Sequence, residues 1–392
     1  FTLSNTSTQF TVNSSEQTIK RMGFFAGTNF EYKNRYIIDG TYRYDGSSLF
    51  GSGNRWAPFG RVSGVWRLSE EPWFHLPHIS DFRLRASDGT AGNSPQFVAQ
   101  YETYSCSATG CSLGQAGNSK LKPETTREIE AGADLTLFDR LGIEFTHVNA
   151  KTNNQILPVP TQASLGFASQ WQNAGTLESQ TWELAATLPV LNKRNFSWTM
   201  RGTWDKSKSF ITELFEPEFF TNGGTGQGTG NFFFMTADKT KMDGFQRNQY
   251  GLVWGREFYK GCGMMPSSLQ AQCGDGKAFQ VNDKGYVVWV GAGNSWRDGI
   301  TKNLWQTKLP ASQSPWNVPI QFGMPIVDRP LAGTSCSALA PLACPGEGVG
   351  ALHILGSALP DFRLTWNNTI QFKRLTAYVL LDGTYGHVIN NQ

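Results

Sequence analysis

Six cysteines fall as three local pairs: Cys106 with Cys111, Cys262 with Cys273, and Cys336 with Cys344. Each pair sits in a segment rich in Gly, Ser, Pro or Gln, which reads as a disulfide closing a loop in an oxidising compartment. Zinc would need CxxC-like spacing and further ligands, and none of the pairs offers them. His75 and His78 are spaced HxxH, but inside the proline-containing segment EPWFHLPHI rather than on a helix; no metal site is expected there. Glu128 and Glu130 share one face of a strand pattern, where solvation accounts for them without general acid–base work. Neither GxSxG nor HExxH occurs, and the glycine run from Gly223 to Gly230 lacks the GK[ST] of a phosphate cradle. These residues give no argument for an enzyme, and no cofactor or metal is expected. Trp171, Trp289, Trp296 and Trp305 could stack on sugar rings, but packing within loops or at a membrane interface is the simpler reading. No substrate-binding residue can be assigned.

What positions these residues is visible in the stretch Arg35 to Glu71, RYIIDGTYRYDGSSLFGSGNRWAPFGRVSGVWRLSEE. Tyr36, Ile38, Gly40, Tyr42 and Tyr44 alternate with Arg35, Ile37, Asp39, Thr41, Arg43 and Asp45, the period of a strand. A second strand is expected from Arg61 to Leu68, with Val62, Gly64, Trp66 and Leu68 on one face. Eleven residues from Arg35 to Asp45 match the roughly 9 to 11 that a tilted strand needs to cross a bilayer. A transmembrane barrel is apolar outside and polar within. On that expectation Tyr36, Ile38, Tyr42, Val62 and Trp66 touch lipid, while Arg35, Asp39, Arg43, Arg61, Glu128, Glu130, Asp134 and Arg201 face the lumen.

The composition agrees with strands. With 42 Gly, 27 Phe, 13 Trp and only 17% charged residues in 392, the chain fits β structure with many turns and interface aromatics. A formal net charge of +3 is too mild for a nucleic-acid partner, which needs clustered Lys and Arg. No apolar run approaches the roughly 18 residues of a transmembrane helix, and the first residues lack signal-peptide regions, so the chain is expected to be an internal piece of something longer.

Taken in order, strand patterns come in pairs joined by short turns at Lys33 and Asn34, at Asp139 and Arg140, near Asn192, and at Lys373 and Arg374. The connections between pairs are long and hold all three cysteine pairs. Short turns on one side and long loops on the other are the asymmetry of an outer-membrane barrel: periplasmic turns, extracellular loops. The region from Phe210 to Leu359 is the least periodic and is expected to be extracellular loop with some strand whose positions the pattern does not give.

Five stretches together resemble the SusC/RagA-type TonB-dependent outer-membrane transporters: Arg35 to Phe74, ISDFRLRASDGTAGN, LKPETTREIEAGADLTLF, NAGTLESQTWELAATLP and LGSALPDFRLTWNNTIQFKRLTAYVLLDGTYG. They occur in the family's order across nearly the whole chain. The resemblance implies an all-β antiparallel transmembrane barrel in the outer membrane of a Gram-negative bacterium. It further implies a plug inside the barrel, energy from TonB through a part preceding this chain, and import of a large nutrient, oligosaccharide or peptide, beneath a SusD-like surface lipoprotein lid. About eleven strands are expected here, half of the 22 of a plugged transporter, so the whole chain is expected to be part of one barrel domain without its plug and terminal strands. The main alternative is a cell-surface barrel module for binding, adhesion or assembly that transports nothing. A secreted glycan-active enzyme would need two carboxylates flanking a sugar bond, whereas the acidic residues here track strand faces.

Overall fold

The computed structural model describes residues 16–107, 110–220, 234–329, 331–332 and 353–388. Ten long strands form its principal sheet: β1 (Arg21–Tyr32), β2 (Tyr36–Ser47), β3 (Trp56–Arg67), β4 (Ile79–Asn93), β5 (Glu124–Leu137), β6 (Leu141–Pro160), β7 (Ser169–Lys193), β8 (Phe196–Leu214), β9 (Phe362–Phe372) and β10 (Leu375–Tyr385). Each is hydrogen-bonded to the next without a crossover, and short Gln115–Ala116, beside β7, completes an eleven-stranded sheet. The long strands pair antiparallel throughout.

Alternation and register make the two faces continuous. Tyr36 lies opposite Trp66, and Trp66 opposite Leu84, so apolar residues face the same way on successive strands. Across the sheet this face exposes Ile38, Val62, Ile129, Leu184, Leu364, Val379 and Leu381. Aromatic rings cap it at both ends. Toward the tight turns, Tyr32, Tyr36, Trp66 and Trp73 form a chain with centroids 6.3–6.5 Å apart. Toward the loops, Trp56 stacks on Tyr44 at 5.2 Å and Phe24 at 6.2 Å. Gly46 permits this, since a Cβ there would meet the Trp56 ring at 2.8 Å.

The short turns fall at one end of the sheet, as expected. Lys33 and Asn34 (φ 51° and 57°), Phe138 and Asp139 (53° each) and Lys373 (53°) adopt left-handed backbone, the twist that matches a tight connection between antiparallel strands. Between β7 and β8 the turn is Arg194–Asn195, past the Asn192 that alternation suggests. A register shift between Pro189 and Leu191 inserts an extra residue and breaks the period there. The strands also outrun their sequence patterns: β4 continues to Asn93, and β7 reaches 25 residues.

Between β8 and β9 the chain forms a second compact unit, Glu218–Leu359 with the last residues after Gly386. Its strands are two to five residues long, too short to show a period, which is why sequence alone does not place them. It has a core of its own, in which Tyr259, Phe279, Val287, Trp316 and Ile326 are buried together. Burial and the neighbouring Asp328 carboxylate push the Tyr259 phenol well above its usual range, so it stays protonated and donates to Asp328 at 2.9 Å. Two expected disulfides are formed, Cys106–Cys111 in the connection from β4 to β5 and Cys262–Cys273 in the second unit. Cys336 and Cys344, and the Gly223–Gly230 run, lie outside the described residues.

The connection from β3 to β4 is fastened by Glu71, whose side chain is 6% exposed. Its carboxylate accepts from Tyr36 Oη at 2.5 Å and Trp66 Nε1 at 2.9 Å, with Arg35 Nη1 at 3.4 Å. The Tyr36 and Trp66 hydrogen bonds hold its pKa below the ordinary 4.5. A depressed folded-state pKa means the stabilisation is present above that ordinary value and is lost as pH falls through the folded one. Hydrogen exchange on the full-length protein should show the Glu71 and Phe74 amides protected at neutral pH and unprotected in acid; Glu71→Leu should leave them unprotected at both.

Candidate functional site

Opposite the aromatic rows, the sheet is polar, and charges from neighbouring strands meet on it. Arg85 on β4 is the centre of the largest group. Its guanidinium pairs with Glu130 and lies 3.3 Å from Asp134, both on β5, and donates to Thr146 Oγ1 on β6 at 2.5 Å. Register places Arg85 opposite Gly132. A Cβ on Gly132 would sit 2.8 Å from the Arg85 Cζ, so the glycine makes the space the guanidinium uses to reach both carboxylates.

The other residues expected on this face are gathered in smaller groups. Asp39 accepts from Ser63, which also receives Arg61 Nη2 at 3.3 Å. Arg43 lies 2.5 Å from Asp45, and Arg201 reaches Thr187 at 3.1 Å and Glu144 at 3.4 Å. Glu128 shares the face, opposite Gly89. Arg35 falls in the turn itself, beside Glu71. Tyr36, Ile38, Tyr42, Val62 and Trp66 all lie on the other face and are exposed. Sequence reasoning did not single out Arg85, Glu144 or Thr146. Arg85 could have been found, because it alternates with Leu84 and Ala86 in ISDFRLRASDGTAGN; that it bridges two strands depends on register, which no local pattern carries.

The four tryptophans considered for sugar stacking are scattered. Trp171 donates to Gln115 at 3.2 Å, Trp289 packs on the core of the second unit, and Trp296 carries Arg297 at 4.8 Å above its ring. Trp305 is 50% exposed. His78 is spent on a ring contact with Phe138 at 5.1 Å, and among the described residues no group of three or more His, Cys, Asp or Glu could hold a metal ion.

At the loop end of β1, β2 and β3 a cavity of about 650 Å³ opens on the polar face, lined by Arg21, Phe25, Arg43, Asp45, Arg55 and Phe59 among others. A Cβ at Gly92 would meet the Phe59 ring at 2.2 Å, so backbone presses directly on one wall.

Removing Arg85 leaves Glu130 and Asp134, four residues apart on β5, without their shared cation. In urea unfolding of the full-length protein, Arg85→Ala should cost about 1–2 kcal/mol, and Arg43→Ala, from an exposed pair, less than about 1 kcal/mol.

Comparison with known proteins agrees with this geometry. Residues 1–315 match the family model described as TonB dependent receptor-like, beta-barrel. TonB-dependent receptor P26 of Formosa agariphila is 30% identical over 204 residues, 49% of this chain and 20% of that protein. TonB-dependent receptor SusC of Bacteroides thetaiotaomicron is 27% identical over 253 residues, 58% of this chain and 24% of its own length. In fold, the chain resembles the RagAB peptide importer in its open-open state, with a TM-score of 0.60, 19% identity, and coverage of 99% of this chain and 35% of that one. The chain thus spans about a fifth to a quarter of these curated relatives. Such relatives are receptors and transporters of the Gram-negative outer membrane, not enzymes. On its sheet, its faces and these matches, the chain belongs to the TonB-dependent receptor β-barrel family.

Proposed function

We propose that this chain is wall and extracellular loop of a barrel that imports a large nutrient, oligosaccharide or peptide, through the outer membrane. The observation that carries the reading is the two-faced sheet: an exposed apolar face bounded by aromatic rows, backed by a face of paired charges. Aromatic girdles around an apolar band are what a lipid-facing barrel surface requires. Tyr36, Ile38, Tyr42, Val62 and Trp66 then touch lipid. Asp39, Arg43, Arg61, Glu128, Glu130, Asp134 and Arg201 face the lumen, with Arg35 at its periplasmic rim.

On this reading Glu218–Leu359 is a folded extracellular loop of the same barrel domain. The outer edges of β1 and β10 cannot stay unpaired in lipid, so further strands of the whole protein complete the wall around a plug. TonB supplies energy through that remaining part, and a SusD-like lipoprotein covers the extracellular mouth. The likeness to a peptide importer supports peptide as one cargo class. Deleting the gene from its host should abolish growth on one oligosaccharide or peptide source, and complementation should require an intact TonB system. Equal complementation in a strain lacking TonB would contradict import.

A further inference from the structure

The cavity at the loop end is built in layers by the register of three strands. Deepest, Phe25, Arg43 and Phe59 stand side by side, because Phe25 and Phe59 are the two partners of Arg43. Two residues nearer the loops, Gly23, Asp45 and Ala57 form the next row. Nearest the loops come Arg21, opposite Ser47, and Arg55, whose carbonyl accepts from the Ser47 amide at 2.9 Å. The hollow exists because the middle row is small on both sides: a Cβ at Gly23 would already meet Asp45 Oδ1 at 2.5 Å. The result is an aromatic floor beneath an arginine rim.

Its charges are unequal. Three arginines line the cavity against one carboxylate, and Asp45 lies 2.5 Å from Arg43 in the floor. Among the described residues neither Arg21 nor Arg55 has a carboxylate partner; Arg55 spends one donor on the Phe50 carbonyl, 3.4 Å from its Nε. Guanidinium groups hold carboxylates through two parallel N–H···O bonds, and they draw anions from solution into a recess. Phe25 and Phe59, the two neighbours of Arg43, give the cavity an apolar surface on which an apolar face of a ligand can pack.

We propose that the cavity binds a carboxylate-bearing ligand, with Arg21 and Arg55 on the carboxylate and an apolar face of the ligand against Phe25 and Phe59. This rests on the import reading and names a chemical property of the nutrient: it is anionic. An acidic sugar and an acidic peptide offer the same chemistry.

The test is calorimetry on the full-length transporter with four probes: a trigalacturonate, the neutral galactose trimer, a short peptide ending in Phe-Asp, and the same peptide with both carboxyls amidated. The expected result is that at least one acidic probe binds about tenfold or more tightly than its neutral counterpart. The sugar pair and the peptide pair identify the source. Arg21→Gln with Arg55→Gln should erase that preference, Arg21→Lys with Arg55→Lys should keep part of it, and added salt should weaken it. Both double variants are first checked for a heat-modifiable, folded barrel, and Ala57→Leu, which fills the hollow while keeping every charge, should also weaken the acidic probe. Equal binding of acidic and neutral probes, no binding of any probe, or a preference untouched by the folded variants would overturn the assignment. TonB-dependent growth on a neutral nutrient alongside such a result would leave the import reading standing and remove only this cavity from it.

Discussion

A bilayer offers no water to an unpaired amide, so a chain that crosses it with strands must satisfy its backbone hydrogen bonds from strand to strand. The serial antiparallel order of β1 to β10 gives every internal strand a partner on each side. Left-handed residues at Lys33, Asn34, Phe138, Asp139 and Lys373 let the chain reverse within two or three residues, which keeps the returning strand in register. Register in turn decides which side chains share a face, so both the apolar band and the charged face follow from backbone pairing.

Side chains then specialise by depth. On the apolar face of β1 to β3, ring pairs stand toward both ends with Ile38 and Val62 between them, and Arg127 pairs with Asp88 on the same face, level with Val62. Glu71 is a further charged group on that side, a carboxylate drawn in beside Tyr36 and Trp66 because both rings present a polar tip at that level. On the opposite face Arg85 shows how small residues matter: Gly132 gives up a side chain so that one guanidinium can serve two carboxylates and a threonine.

Much of the wall was legible in the sequence, because a period of two along a whole strand is a strong signal, and Tyr36 to Tyr44 keeps it with Ile37 as the one apolar residue among the odd positions. The same signal gave the two faces and the turns at Lys33 and Lys373, while the local pairing of cysteines in loop segments gave the disulfides Cys106–Cys111 and Cys262–Cys273. It failed where the chain departs from that period. The bulge near Pro189 displaced one turn, and the second unit, built around Tyr259 and Trp316 from strands a few residues long, offered no period to read. The layered cavity was also invisible, since Arg21, Ser47 and Arg55 are neighbours only through pairing between strands, and residues far apart in sequence cannot announce a shared register.

The central claim is that one face of this sheet meets lipid and the other meets water. Spin labels placed singly from Tyr36 to Tyr44 in the full-length protein, reconstituted in bilayers, test it directly. Labels at even positions should be accessible to oxygen and shielded from a water-soluble nickel relaxant, and labels at odd positions should show the reverse. Labels at Ile38 and Asp39 reporting the same environment, or Asp39 and Arg43 reporting lipid, would contradict it.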